Sequence, residues 1–321
     1  MTDARPKATP GYDIIGDVHG RLDTLQRLLV YMGYRRDGAF SWRPPEGRMA
    51  VFLGDLIDRG PFSAETALTA RKMCRDGRAY CVMGNHEYNV VCWGIRRADG
   101  TRLRSHSDKN RKQIEGFLDS VGEGTAMHRK LAEWFAGLPL WLDLGAVCCA
   151  HACPPASLDE RCGGLLDTKA SPVGPEFFIA SRHEGTEACQ MVNRVLKGPS
   201  LQLPNGVTFR DRYGVIRSMS RMRWWQEGGV RTWRSLAAAG GADLSRLPDT
   251  PVPEELLAMD VPAKPAFFGH YGLAPEARSS AVTRRAVCLD FRAGTGGPLT
   301  AYRWNEGDTE ILAERVVSVL P

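Results

Sequence analysis

The sequence predicts an α/β protein, on three observations. Short, mostly apolar runs recur, and they end abruptly in Gly-Asp, Gly-Asn or His. Helical periodicity fills the gaps between the early runs. The polar residues at the run ends are types that ligate metals and move protons. Runs of four or five apolar residues read as strands buried on both faces. A glycine at most of the ends allows the sharp turn that lifts the next side chain off the strand tip.

The runs are taken in order. Residues 12–15 lead into Gly16-Asp17, 49–53 into Gly54-Asp55 and 79–83 into Gly84-Asn85. Later, 146–150 ends in His151 and 266–268 in Gly269-His270. Between the first two, Leu22, Leu25, Leu28, Leu29 and Met32 fall on one helical face. Ser63 is expected to cap a second helix carrying Ala67, Leu68 and Met73. Ser107 is expected to cap a third bearing Ile114, Phe117, Leu118 and Val121, and 128–135 reads as a fourth. Residues 154–262 are rich in Pro and Gly and resist parsing, apart from an alternation over 203–225 that suits two strands about Gly206 or Gly214. Residues 286–291 and 299–304 read as a terminal hairpin.

Composition narrows the function. Of 321 residues, 43% are hydrophobic, which excludes disorder as a whole-chain answer. The net charge of +5 is too mild to announce a nucleic-acid binder, and no nucleic-acid partner is expected. No apolar run nears the ~18–20 residues needed to span a bilayer. The polar N-terminus has no apolar core for a secretion signal. The nine cysteines, with Cys148 and Cys149 adjacent and no CxxC spacing, suit reduced thiols. The expectation is a cytoplasmic protein with no membrane partner.

The chemistry gathers at the strand ends: Asp17, His19, Asp55, Asp58, Arg59, Asn85, His86, His151 and His270. Asp17, His19, Asp55, Asn85, His151 and His270 make a mixed oxygen and nitrogen set, which suits Mn, Fe or Zn, with Co possible, better than Mg or Ca. They are too many for one ion. A shared carboxylate would let two metals sit ~3.5–4 Å apart, as in hydrolytic two-metal sites.

Three blocks now carry a resemblance: Gly16-Asp17-Val18-His19-Gly20, then Gly54-Asp55-Leu56-Ile57-Asp58-Arg59-Gly60, then Gly84-Asn85-His86-Glu87. Asp17 and Asp55 are 55 − 17 = 38 residues apart, and Asp55 and Asn85 are 85 − 55 = 30 apart. In order and spacing they resemble the phosphoprotein phosphatase group of the calcineurin-like metallophosphoesterases. The close resemblance covers residues 12–91, and His151 and Gly269-His270 match two later single-histidine blocks.

The resemblance implies two facing mixed β-sheets flanked by helices. It implies one domain over 12–321 after a tail over 1–11, with a helical insert or lid over 92–140 and a substrate-pocket insertion over 154–262. Two divalent ions are implied, Mn first. Asp17 and His19 would ligate one, Asp55 would bridge, and Asn85, His151 and His270 would ligate the other. His86 resembles the general acid, Asp58 its orienting partner, and Arg59 and Asn85 would touch the substrate phosphate. The implied reaction is direct attack of a metal-bridging hydroxide on phosphorus.

A second phosphate-binding arginine is expected between the last two histidines. Arg221, Arg223, Arg231 and Arg234 compete, and Arg223, just before Trp224, is preferred. Trp224, Trp225 and Trp233 suit core or lid packing better than stacking on a base. The basic residues between Arg96 and Lys112 suit a solvated helix face, with a lid steering polyanions as the functional alternative. His106, His128 and His183 lack any site context, and Cys153 and Cys162 fit no structural zinc spacing.

The substrate is a phosphorylated protein or a nucleotide. The wording Asp58-Arg59-Gly60 and Asn85-His86-Glu87 resembles Ser/Thr protein phosphatases, so a phosphomonoesterase of that type is the first expectation. The alternative is a bis(5'-nucleosyl)-tetraphosphatase, since the same blocks resemble bacterial asymmetrical dinucleoside tetraphosphatases. A catalytically silent scaffold comes third, because every ligand position and the acid are filled. No GxxxxGK[ST] loop occurs, which argues against a fused nucleotide kinase. Oligomeric state is left open.

Overall fold

The strands form close to their expected bounds in a computed structural model, which describes residues 11–211, 214–240, 242–257 and 260–321. A five-stranded sheet runs in the order Val316–Val319, Leu299–Asn305, Gly11–Ile15, Arg48–Phe52, Ala79–Cys81. Its last three strands are parallel, and Leu299–Asn305 returns antiparallel to Gly11–Ile15. A second sheet runs in the order Ala286–Cys288, Ala266–Phe268, Cys148–Ala150, Trp141–Asp143, parallel except for its last pair.

The two mixed sheets face each other, as expected. Ile14, Val51, Leu53 and Tyr302 from the first pack against Cys149, Phe267 and Val287 from the second. Neighbouring side chains point the other way, with the period of two that a strand imposes. Ile15 and Phe52 reach the helical layer that holds Leu25, Leu28 and Ala67. Cys148, Phe268 and Cys288 reach Trp225 and Tyr271. Burial on both faces is why these strands read as unbroken apolar runs.

Helix Leu22–Tyr31 forms and buries Leu25, Leu28 and Leu29, as its periodicity requires. Ser63 starts helix Ser63–Arg75 but does not cap it. Phe62 holds the cap position, and the Ser63 hydroxyl instead accepts the Asp58 N–H at 2.8 Å. The single helix expected after Ser107 is two, Asp108–Lys112 and Glu115–Val121. The break falls at Ile114, whose φ of −131° leaves the helical region while its side chain is fully buried. The helix expected over 128–135 starts earlier, as Ala126–Ala136, because the Thr125 hydroxyl accepts the His128 N–H at 3.1 Å.

The terminal hairpin does not form. Ala286–Cys288 joins the second sheet and Leu299–Asn305 the first, and the single bridge between Asp290 and Leu299 links the two segments among the described residues. Both strands are apolar on both faces, so each needs a layer on either side, which a two-stranded ribbon would not supply.

Residues 92–140 hold the three short helices just named. Residues 154–262 contain helices Pro175–Ala180 and Glu187–Lys197 and a small sheet of Ser200–Gln202, Met219–Met222 and Ala237–Ala238. Phe209–Arg210 and Ile216–Arg217 pair around a turn that includes Gly214. This region has its own apolar cluster, including Leu201, Phe209, Met222, Trp233 and Leu247. Apart from Gly11, the expected tail lies outside the described residues. All nine cysteines are free thiols. No helix among the described residues is long and apolar enough to cross a membrane.

Candidate active site

Strand register brings the three sequence blocks together. Ile15 pairs with Phe52, and Phe52 with Cys81, so Asp17, Asp55 and Asn85 emerge side by side at the C-terminal edge of the first sheet. His151 and His270 emerge from the facing edge of the second, just beyond Cys148–Ala150 and Ala266–Phe268. Ligand sites of open α/β sheets form at such strand ends.

The loops are tightly turned. His19, Asp55, Asp58, Arg59 and His270 all have positive φ, between 46° and 72°. Each such non-glycine residue costs about 1–3 kcal/mol, and such strain clusters at functional sites. A Cβ on Gly269 would overlap the Asp17 carboxylate, so only glycine lets that strand end approach so closely.

The buried donors converge. His19 Nε2 lies 3.5 Å from Asp55 and 3.9 Å from Asp17, and it is buried without a hydrogen-bond partner. His151 Nε2 lies 3.5 Å from the other Asp55 oxygen and 3.1 Å from Asn85 Oδ1, which also lies 2.8 Å from His270 Nδ1. Two sets of groups could each hold an ion: His19, Asp55 and His86, and Asp17, Asp55 and His151. Asp55 belongs to both.

Charge in this cluster is unbalanced as it stands. Burial, then the Asp290 and Asp55 carboxylates, push the Asp17 pKa well above the usual range. Burial acts on Asp55 in the same sense, but His151, His86 and His19 outweigh it and hold that carboxyl well below its usual value. Burial, joined by Arg59 at His19 and by His151 at His270, drives both imidazoles toward the neutral form that ligates metals. His19 Nδ1 is hydrogen-bonded to the Ile57 carbonyl at 3.0 Å and His151 Nδ1 to the Leu53 carbonyl at 2.8 Å. Such bonds fix the ring and leave Nε2 for an ion. An orphaned ring nitrogen, crowded carboxylates and a shared Asp55 fit two divalent cations.

Beside this cluster, His86 Nδ1 is 2.7 Å from Asp58 Oδ2. Burial would lower the His86 pKa, but Asp55 and the bond to Asp58 outweigh it and raise it. A raised value keeps the imidazole protonated near neutral pH, as a general acid needs. Arg59 follows Asp58 and is exposed, free to present its guanidinium to a phosphate.

Residues 12–169 match the calcineurin-like phosphoesterase family. The match spans just under half of the chain and includes the first four of the five strand-end blocks. It is similar over 75 residues, at 45% identity, to an asymmetrical bis(5'-nucleosyl)-tetraphosphatase of Halalkalibacterium halodurans, a match spanning 23% of this chain and 30% of that protein. Over 309 residues it is 24% identical to a symmetrical bis(5'-nucleosyl)-tetraphosphatase of Vibrio cholerae, covering 91% of this chain and 94% of the relative. A serine/threonine protein phosphatase from Saccharomyces cerevisiae shares 15% identity and a TM-score of 0.49 over 98% of this chain and 80% of that one.

Three further residues hold these loops in place. Glu87 accepts the N–H groups of Asp55 at 2.9 Å, Leu56 at 2.8 Å and Gly84 at 3.0 Å, tying the second block to the third. Burial and Asp55 push its carboxyl up to about 7. Asp290 accepts the N–H groups of Gly272 at 2.6 Å and Arg292 at 2.9 Å, beside Asp17. Ser63 holds the Asp58 backbone. Glu87 could have been found, since it completes the third block; nothing local marks Asp290 or Ser63.

Arg223 and Arg221 differ in placement. Arg223 has a buried Nε with no hydrogen-bond partner, and its charge faces Cys288. Arg221 donates to the Gly198 carbonyl at 3.0 Å and Ser200 Oγ at 2.8 Å, and its charge acts on His270. Both therefore lie near the second-sheet histidine loops, Arg221 through its charge on His270 and Arg223 beside Cys288, whose thiol meets the Gly269 carbonyl. The tryptophans pack rather than stack on a ligand: the Trp225 ring lies 4.9 Å from Phe268 and 4.6 Å from Tyr271, and Trp224 Nε1 donates to the Ala152 carbonyl. Trp233 is buried in the cluster of the 154–262 region. His106 stacks on Trp93 and His128 accepts the Gly124 N–H, both away from the site, and among the described residues no metal-capable group contains a cysteine.

Proposed function

We propose that this chain is a two-metal phosphoester hydrolase that cleaves the phosphate chain of bis(5'-nucleosyl) tetraphosphates. The position of Asp55 in both ligand sets carries the chemistry. The substrate class is supported by the tetraphosphatase relatives, one alike over the motif region and one over nine-tenths of the chain.

Asp17, His19, Asp55, Asn85, His151 and His270 would hold the ions, with Mn favoured by the mixed donor set over Fe, Zn or Co. When bound, the ions supply Lewis-acid polarisation and neutralise phosphate charge. His86, held by Asp58, gives the proton on Nε2 to the leaving oxygen. Arg59 would meet the phosphate from the rim, with Arg221 or Arg223 as its second arginine: Arg221 acts on His270, and Arg223 has a buried Nε without a hydrogen-bond partner beside Cys288, whose thiol meets the Gly269 carbonyl.

A Ser/Thr-type phosphomonoesterase is the second reading, favoured by the Asp58-Arg59-Gly60 wording. One turnover assay with added Mn²⁺ separates the two. It compares diadenosine tetraphosphate, a phosphoserine peptide and a nucleoside monophosphate, with chelated enzyme as control. Preference for the dinucleotide supports the proposal, preference for the peptide replaces it with the second reading, and no metal-dependent turnover on any of them returns the silent scaffold.

A further inference from the structure

We infer that Arg104, Arg182 and Lys197 form a polyphosphate subsite beyond Arg221, which takes the phosphates of a substrate chain lying past the one being cleaved. The inference rests on the phosphoester-hydrolase reading and extends it to the shape of the substrate.

The placement comes from contacts. Tyr88, one turn into the helix Asn85–Gly94 that carries His86, bonds through its hydroxyl to Ser181 Oγ at 2.7 Å, which sets Arg182 beside that helix. The Ala152 N–H, next to His151, donates to the Val195 carbonyl at 2.8 Å. A Cβ on Gly198 would overlap the Tyr271 hydroxyl, next to His270. The end of helix Glu187–Lys197 therefore abuts both histidine loops. Arg221 bonds to the carbonyl of Gly198, the residue after Lys197. Arg104 arrives from the other inserted region, 92–140.

Arg104 is buried, Lys197 and Arg221 are half-buried and Arg182 is exposed, and among the described residues none has an acidic partner. Arg104 is 5% exposed, and its Nε has no hydrogen-bond partner. Its other bond goes to a neutral group, Gln113 Oε1, and that of Lys197 to Asn193 Oδ1. Among the described residues none of Arg104, Arg182, Lys197 or Arg221 makes an ion pair. They are gathered by their neighbours: Arg182 follows Ser181, which is bonded to Tyr88, and Lys197 precedes Gly198, whose carbonyl holds Arg221, so that each charge repels the next. Like charges gathered around a buried arginine repel one another, and a counter-charge relieves that repulsion. A run of linked phosphates brings several negative charges at phosphate spacing, and arginine forks suit their oxygens. Arg221 also lines a groove of about 550 Å³ with Ser200, Phe209, Ile216 and Met219. That leaves room for a terminal nucleoside beyond the phosphates.

The test uses the full metal-loaded chain. Inorganic tripolyphosphate and orthophosphate are titrated calorimetrically into wild type, Arg182→Gln, Lys197→Gln and the double variant. Charge-assisted bonds to partly exposed groups predict about a tenfold weaker tripolyphosphate affinity in the double variant, with orthophosphate affinity little changed. The ratio of kcat/KM for diadenosine tetraphosphate to that for p-nitrophenyl phosphate should fall about tenfold, through KM. Thermal unfolding confirms that the variants fold, and Arg104→Lys, which keeps the charge, should retain most of the tripolyphosphate affinity. Unchanged tripolyphosphate binding in folded variants, or equal losses on both esters, overturns the subsite. If wild type binds tripolyphosphate through these residues yet leaves diadenosine tetraphosphate intact, the subsite stands and the dinucleotide substrate falls.

Discussion

His86 Nδ1 lies 2.7 Å from Asp58 Oδ2, while the other oxygen of that carboxylate accepts the Phe117 N–H at 2.8 Å. One carboxylate thus joins His86, the proposed general acid, to a helix from the 92–140 region. The motif reading places the pair together, and the fold adds the third partner.

His86→Ala should lower turnover by roughly 10²–10⁴, the worth of a general acid. The loss should be largest for alkyl phosphates and smallest for p-nitrophenyl phosphate, whose leaving group needs little protonation. Rates across a series of leaving groups check this, and a uniform loss would remove His86 from the acid role.

Gly116 precedes Phe117, and a Cβ there would sit 3.2 Å from Asp58 Cα and 3.4 Å from its Oδ1. Gly116→Val should push Glu115–Val121 away and loosen Asp58. The expected result is a smaller loss than in His86→Ala with the same leaving-group dependence. A loss equal for good and poor leaving groups would mean the helix acts only on stability.

Asp55→Asn should weaken both metal sites, because Asp55 belongs to both sets. Mn²⁺ titration that leaves one site intact would refute the bridge. Asp17→Asn has a second signature. Asp17 is buried among Asp290 and Asp55, so the chelated variant should be at least as stable as chelated wild type. The same variant should gain less from added Mn²⁺ than wild type does. Thermal unfolding with and without metal reads both effects.

Trp225 is 3% exposed, and its Nε1 donates to the Ser280 carbonyl at 3.0 Å. Trp225→Ala should cost about 3–5 kcal/mol of stability, as large-to-small core changes do. Denaturant unfolding measures it. A variant of native stability with a raised KM for nucleotides would return the ring to a base-stacking role.

Much of the site was legible because its residues lie within three or four positions of a strand end. Asp17, Asp55 and Asn85 follow the three parallel strands of one mixed sheet, where order in sequence becomes order in space. The terminal hairpin was misread because apolar alternation does not say which neighbour a strand will take. Arg221 and Arg223 lie two residues apart at one strand end, so local pattern does not choose between them as the second phosphate-binding arginine. Asp290 and Ser63 look like ordinary loop polar residues until Asp17 and Asp58 come to rest against them.

By itself, the order of the sequence determined the α/β class and which candidate ligands and candidate acid stand at the strand tips, since each depends on local chemistry there. Tertiary structure decided which face each late strand would cover, which helix would hold Asp58, and how Arg104, Arg182, Lys197 and Arg221 would meet from distant parts of the chain. Those outcomes follow from packing between segments far apart in sequence, where burial, not local propensity, selects the partner.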